Sequence, residues 1–313
     1  MSKSSAKWLR HPLRFLATTA LASLSMVVVS SVRDAFAADA EPVSLRYKFQ
    51  ANQSLHFEYS QEMTFLSRKR QFQEEIKSQT SADKHLRIIS VDTDGNALIE
   101  PVIDRVRMVS SKDEEPETKF DSLETAKDPE SCPPGFRGIM ATVGKPLVQI
   151  RFSPQGKVLS ANGINGGAAA ANGLENDSSL NFLIVLPDQP VKVGDTWKDD
   201  FEVNVQIDKS LKQGIKLRRE YRLAKLDGSR AEIELKMGTI TPINSPEIDL
   251  QISSRIMSGT IVFEHQLGQI VSRNVTVDRE VINALGAPSL VHTSIVQHER
   301  SVPNPKLAKR DAK

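Results

Sequence analysis

The sequence predicts a mainly β protein made of two related antiparallel units, each with one short helix, whose sheets curve or form half-barrels. Long segments in both halves alternate apolar and polar residues with period two, which is typical of half-buried strands. Asp-Gly turns join such segments in both halves. The order hairpin, Asp-Gly hairpin, helix, strand and Gly turn occurs twice, which favours an internal duplication.

The first β unit is predicted over residues 41–161. The alternating segments 43–49 and 55–65 predict one hairpin, and the segments 85–91 and 97–109 predict a second. The second hairpin turns at DTDGN, where Asp and Gly suit the backbone of a tight turn. DTDGN also resembles the beginning of a calcium-binding loop, but the strands on either side favour the turn.

Residues 110–131 are rich in Asp and Glu and predict a solvated acidic loop within this unit. Apolar residues with helical spacing then predict one short helix, which ends at Gly144. The residues of its apolar face are Phe136, Ile139, Met140 and Val143. The strand VQIRF and the turn SPQG follow, and Gly, Ala and Asn residues predict a linker over 162–179.

The second β unit is predicted over residues 180–301, and its elements align with those of the first. The aligned residues are Asp227 and Gly228 with Asp94 and Gly95, Phe263 with Phe152, and Gly268 with Gly156. A second short helix is predicted where Ile248, Ile252 and Ile256 recur every four residues. The basic tail 302–313 is interrupted by proline and is predicted to be disordered.

Residues 1–37 predict a cleavable export signal. Basic residues precede an uncharged run over 15–32, and small residues then mark the cleavage position. The cleavage residues are Ala35 and Ala37, and Ala38 begins a second small-x-small site. An uncleaved anchor is the alternative, because the run is at the lower limit of length for crossing a bilayer. We expect export to the periplasm or the cell exterior, with no transmembrane segment after cleavage.

Removal of the signal changes the charge of the chain. It takes away five of the 41 Lys and Arg residues and one of the 39 Asp and Glu residues, which changes the formal net charge from +2 to −2. A near-neutral chain argues against a nucleic-acid partner. Cys132 is the single cysteine of the sequence, so no intramolecular disulfide forms, and we interpret it as an incidental thiol rather than a nucleophile.

Five histidines follow the signal, and none has the spacing of a metal motif. His292 and His298 share one face of a predicted strand but lie roughly 20 Å apart, which is too far to bind one zinc ion. His56, His85 and His265 belong to no HExxH motif or close His pair. We interpret histidines on the polar face of a strand as solvated, and we predict no metal ion and no cofactor.

Two further features are candidates for chemistry. Asp199 and Asp200 are adjacent on a predicted strand, so their side chains face opposite sides and do not form a catalytic pair. Trp197 could stack on a sugar, but its place in an alternating strand favours a core anchor. We predict no catalytic residue.

Four segments resemble a family of exported bacterial proteins of unknown function. They are LRYKFQANQSLHFEY, PPGFRGIMATVGKPL, PVKVGDTW and SGTIVFEHQLGQIVS. The resemblance spans nearly all of the chain after the signal, and it implies export without implying an activity. One departure is Asn52-Gln53, because such proteins commonly have Gly at the first hairpin turn.

These observations favour a non-catalytic protein of the cell envelope that binds a lipid or another apolar ligand, with short amphipathic helices as lids. The alternative is a structural or protein-interaction module of the envelope, with another envelope protein as its partner. A hydrolase built from distant carboxylates is the least favoured of the three.

Overall fold

We describe the protein from a computed structural model, which places residues 41–168, 183–208 and 211–304. The predicted signal over 1–37, most of the predicted linker and the last part of the predicted tail lie outside these ranges. So do the predicted cleavage residues Ala35, Ala37 and Ala38. The placed part of the chain is mainly β, which confirms the predicted fold class, and its strands form one twelve-stranded antiparallel sheet. Among the placed residues, no helix is long and apolar enough to span a membrane.

Both predicted units supply strands to this sheet. Those of the first are β1 (Ser54–Lys69), β2 (Phe72–Val91), β3 (Ala97–Lys112), β4 (Thr118–Asp121), β5 (Val148–Phe152) and β6 (Val158–Gly163). Those of the second are β7 (Thr196–Gln206), β8 (Lys212–Asp227), β9 (Arg230–Thr239), β10 (Ser258–Glu264), β11 (Gln269–Ile282) and β12 (Ser289–Val302). The α-helices are α1 (Ser122–Thr125), α2 (Arg137–Met140) and α3 (Pro246–Ile252).

The strands form two meanders, β1–β6 and β7–β12. Each strand pairs with the next, except that β4 and β5 both pair with β3. Antiparallel pairing of β1 with β12 joins the meanders, and the sheet ends at β6 on one side and β7 on the other. Both meanders begin with three strands, which short helical segments separate from the later strands: β4 and two short helices precede β5 and β6 in the first, and α3 precedes β10, β11 and β12 in the second. The internal duplication stays a prediction.

The apolar side chains of the strands gather on one face, which we call the inner face. A large cluster covers its lower end, where the two Asp-Gly turns lie, and includes Ile99, Ile150, Tyr221, Ile233 and Phe263. A second cluster lies under α3 and includes Val203, Leu217 and Ile252. A third lies under α2 and includes Ala82, Val106, Phe120 and Cys132. The predicted helical faces of both short helices are therefore confirmed as packing faces.

Residues 43–49, which we call the central segment, lie inside the large cluster rather than in the sheet. The predicted hairpin of 43–49 with 55–65 is therefore wrong: Val43 forms only an isolated bridge with Val191, and β1 forms its hairpin with β2. The alternation has another cause. Leu45 and Tyr47 are buried, whereas the residues next to them in the chain are more exposed.

Two turns close over the central segment, and each contains a glycine with a positive φ. Gly156 (φ 78°) lies between β5 and β6, and Gly268 (φ 66°) lies between β10 and β11. The Tyr47 N–H donates to the Pro154 carbonyl in the first turn, and the Lys48 N–H donates to the Gly268 carbonyl. The two glycines that align in the sequence thus hold opposite sides of the same segment.

The turn before β1 explains the Asn52 departure. Asn52 has φ 65°, in the left-handed region that glycine and asparagine tolerate best. Its N–H donates to the Ile88 carbonyl, which ties the turn to β2. Asparagine at this position is therefore compatible with the left-handed backbone that the turn requires.

The segment predicted as an acidic loop, 110–131, is partly ordered. β3 continues to Lys112, β4 pairs with it, and Asp121 caps α1 by accepting a hydrogen bond from the Leu123 N–H. Phe120 explains the difference, because its buried ring stacks on the Phe136 ring, with 4.9 Å between the ring centroids. One buried aromatic residue anchors a segment that is otherwise acidic and exposed.

We expect Gly156→Ala to destabilise the protein much more than Gly144→Ala. Both glycines have positive φ, so both variants carry a similar backbone strain. A Cβ at Gly156 would overlap the Ile184 carbonyl oxygen and lie 2.7 Å from the Tyr47 ring, whereas a Cβ at Gly144 meets nothing within 4 Å. Urea unfolding should show an additional loss of about 1–3 kcal/mol for Gly156→Ala. Equal losses would contradict this account of the turn.

Candidate functional site

The placed residues that the sequence singled out are mostly structural. Cys132 is buried in the cluster under α2. Trp197 stacks on Tyr221 with 5.4 Å between ring centroids and donates to the Val185 carbonyl, as expected of a core anchor. In the DTDGN turn, the Asp92 side chain accepts hydrogen bonds from the Asp94 and Asn96 N–H groups, which agrees with the turn.

The two adjacent aspartates face opposite sides, as predicted. Asp199 pairs with the buried Arg219 at 2.6 Å on the inner face, and the Arg219 guanidinium lies 3.8 Å from the centre of the Phe201 ring. Asp200 pairs with Arg218 at 2.6 Å on the outer face. Each carboxylate is therefore part of its own ion pair.

A row of charged side chains crosses the inner face of the central strands. Arg273, Glu299 and Tyr59 lie directly opposite one another on β11, β12 and β1. Arg273 donates to Glu299 at 3.1 Å, and Lys84 forms an ion pair with the other oxygen of the same carboxylate. Arg273 and Glu299 are only 5% and 4% exposed. One buried carboxylate thus holds two cations, the buried Arg273 and the half-buried Lys84.

Burial dominates the electrostatics of this row. It lowers the pKa of Lys84, and the Glu299 carboxylate opposes that shift. It also raises the pKa of Tyr59 to about 12, so the phenol stays protonated. The Lys84 ammonium lies 5.1 Å from the centre of the Tyr59 ring, which is within range of a cation–π interaction.

Above this row the inner face carries apolar side chains among small polar ones, since Met63 lies opposite Ser78 and Phe65 lies opposite Thr293. The Tyr59 hydroxyl and the Gln297 amide both donate to the Gln61 side-chain oxygen, at 2.8 and 2.9 Å. The next pairs upward carry apolar side chains, which we call the apolar strip: Met63, Phe65, Ile76 and Ile295. Met63, Phe65 and Ile76 are half-buried, and the strip belongs to none of the three clusters. The strip is an apolar surface with a polar lower boundary.

The outer face carries a polar cleft over the same central strands. The cleft has a volume of about 780 Å³, and Glu58 and Arg300 line it together as an ion pair. At its lower end, His56 on β1 lies directly opposite His85 on β2. His85 Nδ1 lies 2.7 Å from an oxygen of Asp104. These three residues offer donor atoms that all lie within 4.8 Å of one another.

The amino-acid sequence alone does not reveal this cluster. His56 and His85 are far apart in the chain, so each looks isolated in the sequence. Their pairing depends on the register of β1 and β2. The other strand histidines contact other residue types: His292 pairs with Asp278 at 2.6 Å, and His298 Nδ1 lies 2.9 Å from the Asn274 side-chain oxygen. If the hairpin turn had been placed at Arg70, counting outward along the two strands would have shown that His56 and His85 lie opposite each other.

Comparison with protein families finds one domain, and that domain has no assigned function. A model of a family of unknown function, DUF6263, matches residues 176–269. No curated protein sequence matches the chain.

Solved structures share low similarity with the chain. A structure of lipid–protein interactions in lipovitellin has 9% identity and a TM-score of 0.46, over 82% of this chain and 25% of that chain. DynF, from the dynemicin biosynthesis pathway of Micromonospora chersina, has 8% identity and a TM-score of 0.24, over 86% and 89%. A DUF1329 family protein from Desulfovibrio piger has 10% identity and a TM-score of 0.16, over 78% and 85%. The chain spans a quarter of the lipovitellin chain.

We expect Glu299→Gln to destabilise the protein by about 3–5 kcal/mol, because it leaves the buried Arg273 and the half-buried Lys84 beside a neutral amide. Glu234→Gln is the matched control. Glu234 also pairs with an arginine on a neighbouring strand, at 2.8 Å, but both partners are more than one-third exposed. Its loss should cost about 0–1 kcal/mol in urea unfolding. Similar costs for the two variants would show that the buried row contributes no more than a surface pair.

Proposed function

We propose that the protein is an exported, non-catalytic protein of the cell envelope that binds an apolar ligand on the inner face of its sheet. The observation that carries this proposal is the apolar strip. Met63, Phe65 and Ile76 leave apolar surface partly exposed on the face that elsewhere forms the core. Partly exposed apolar surface with polar groups at one end is typical of ligand sites.

The shape of this surface suits an amphiphile with an acyl chain. From Gln61 to Phe65 the strand rises about 13 Å, which is the length of the path from the amide pair to the upper apolar residues. Each methylene group that it covers contributes about 0.8 kcal/mol, before the cost of association. Gln61 and Gln297 are positioned to accept or donate hydrogen bonds to the polar end of the ligand.

Export rests on residues 1–37 and their small-residue cleavage position at Ala35 and Ala37. A protein that leaves the cytoplasm meets membrane lipids, which are the most abundant apolar molecules of the envelope. The charge of −2 that follows from cleavage favours neither nucleic acid nor a strongly charged partner. The proposed ligand and the proposed location are therefore consistent with each other.

A structural or protein-interaction module is the second candidate, because apolar residues lie exposed on hairpin tips at the upper end of the sheet. Phe72 in the β1–β2 hairpin is 72% exposed. Ile207 and Leu211 lie at the β7–β8 tip, and Ile282 and Leu285 at the β11–β12 tip. Crosslinking in cells distinguishes the two candidates: a partner captured at these tips supports the module, and recovery of the monomer alone counts against it.

We expect Phe65→Lys to abolish ligand retention and Leu66→Lys to preserve it. The two residues are neighbours on β1, but Phe65 lies on the apolar strip whereas Leu66 lies on the outer face opposite Glu75 and His292. Native mass spectrometry of protein purified from its own envelope should show a lipid-sized adduct on the wild type and on Leu66→Lys. Titration with a fluorescent fatty acid should show at least a tenfold weaker affinity for Phe65→Lys.

Urea unfolding of both variants controls for loss of the fold. A wild-type protein that carries no adduct and does not bind the fatty acid would overturn the proposal. Equal affinity of the two variants would place any binding elsewhere on the molecule.

A further inference from the structure

We propose that His56, His85 and Asp104 bind a divalent transition-metal ion at the lower end of the outer cleft, and that zinc is the ion this donor set fits. The proposal is independent of the apolar strip, which lies on the opposite face. Two imidazoles and one carboxylate are a common protein donor set for zinc. Calcium and magnesium prefer oxygen donors, so the two nitrogens disfavour them.

The hairpin register brings the two imidazoles together. His56 and His85 are direct antiparallel partners, so their Cβ atoms are about 5 Å apart on the same face. The ring centroids are 5.2 Å apart and the rings are inclined by 29°. The register of β1 and β2 shows no shift over the whole hairpin, which fixes the two rings as neighbours.

A β-bulge supplies the third donor. Asp83 pairs with Arg105 and Lys84 pairs with Ile103, which leaves Asp104 as the extra residue of β3. A bulge redirects the side chain of the extra residue, and bulges are frequent beside functional sites. Here it brings the Asp104 carboxylate within 2.7 Å of His85 Nδ1. Without the extra residue, β3 would present no carboxylate at this point.

The geometry requires a small closure on binding. Zinc binds nitrogen and oxygen at about 2.0–2.2 Å, so donors in a tetrahedral site lie about 3.5 Å apart. The donors of this cluster lie within 4.8 Å of one another. Rotation of the side chains closes this gap of about 1 Å, and Asp104 has the freedom to do so because 43% of its side chain is exposed.

The cleft leaves room for the rest of the coordination sphere. Three protein donors and an open position are the arrangement of zinc sites that bind a water molecule or an exogenous ligand. Glu58 lies two residues from His56 on the same face of β1 and lines the cleft together with Arg300. The open position therefore faces a polar cavity rather than packed side chains.

The test is titration of the untagged full-length protein, freed of metal by a chelator, with Zn²⁺. We expect one ion per chain by calorimetry and a higher melting temperature with Zn²⁺ than with Ca²⁺ or Mg²⁺, because an ion that binds only the folded state stabilises it. His85→Gln and Asp104→Asn should each weaken Zn²⁺ binding at least tenfold. Co²⁺ in place of Zn²⁺ should give the visible absorption of a site with nitrogen donors, and His85→Gln should reduce it.

His292→Gln is the matched control. His292 also pairs with an aspartate on the outer face, at 2.6 Å, but it has no second imidazole opposite it among the placed residues. Its substitution should leave the affinity unchanged. Melting in the presence of chelator checks that each variant folds. The absence of Zn²⁺ binding would overturn the proposal, as would an equal loss of affinity in His85→Gln and His292→Gln.

Discussion

The pairing of β1 with β12 is the interaction on which the rest of the structure depends. Over the residues that the structure places, it is the one strand pairing that joins the two meanders. The buried row crosses this seam through Tyr59 and Glu299, and the apolar strip crosses it through Met63 and Ile295. The outer cleft crosses it as well, since Glu58 and Arg300 are direct partners. The buried row, the apolar strip and the outer cleft are therefore assembled from both halves of the chain, whereas the donors of the proposed metal site all lie in the first half.

The central segment solves the packing problem that such a wide sheet creates. An open twelve-stranded sheet has two wings whose inner faces need a common core. Tyr47 provides one by contacting both sides: its N–H donates to the Pro154 carbonyl in the β5–β6 turn, and its ring meets Phe263 of β10 edge-on at 5.3 Å. Its hydroxyl both donates to the Ile184 carbonyl and accepts from the Ile184 N–H. Because both polar requirements of the hydroxyl are met, its burial costs little. The core is thus organised around an extended segment rather than a second sheet.

Much of the fold follows from the sequence, whereas the sites do not. Alternation assigns each residue to a face, so it identified most of the strands and the packing of Trp197. It does not choose a partner strand, so it missed the seam that brings Tyr59 to Glu299 and the register that opposes His56 and His85. It also placed the central segment in a hairpin, because an extended chain inside a core alternates as a strand does. Register and long-range pairing carry the information that the pattern lacks.

The seam also has a consequence for the order in which the chain folds. Its partners Glu58 and Arg300 are separated by 242 residues, and β12 is the last strand of the sheet to be synthesised. Until then β2 covers one edge of β1 while the other edge exposes its peptide groups, which is a template for aggregation. Pairings of such long sequence separation also form slowly. A chain of this design depends on protection of that edge of β1 until its synthesis is complete.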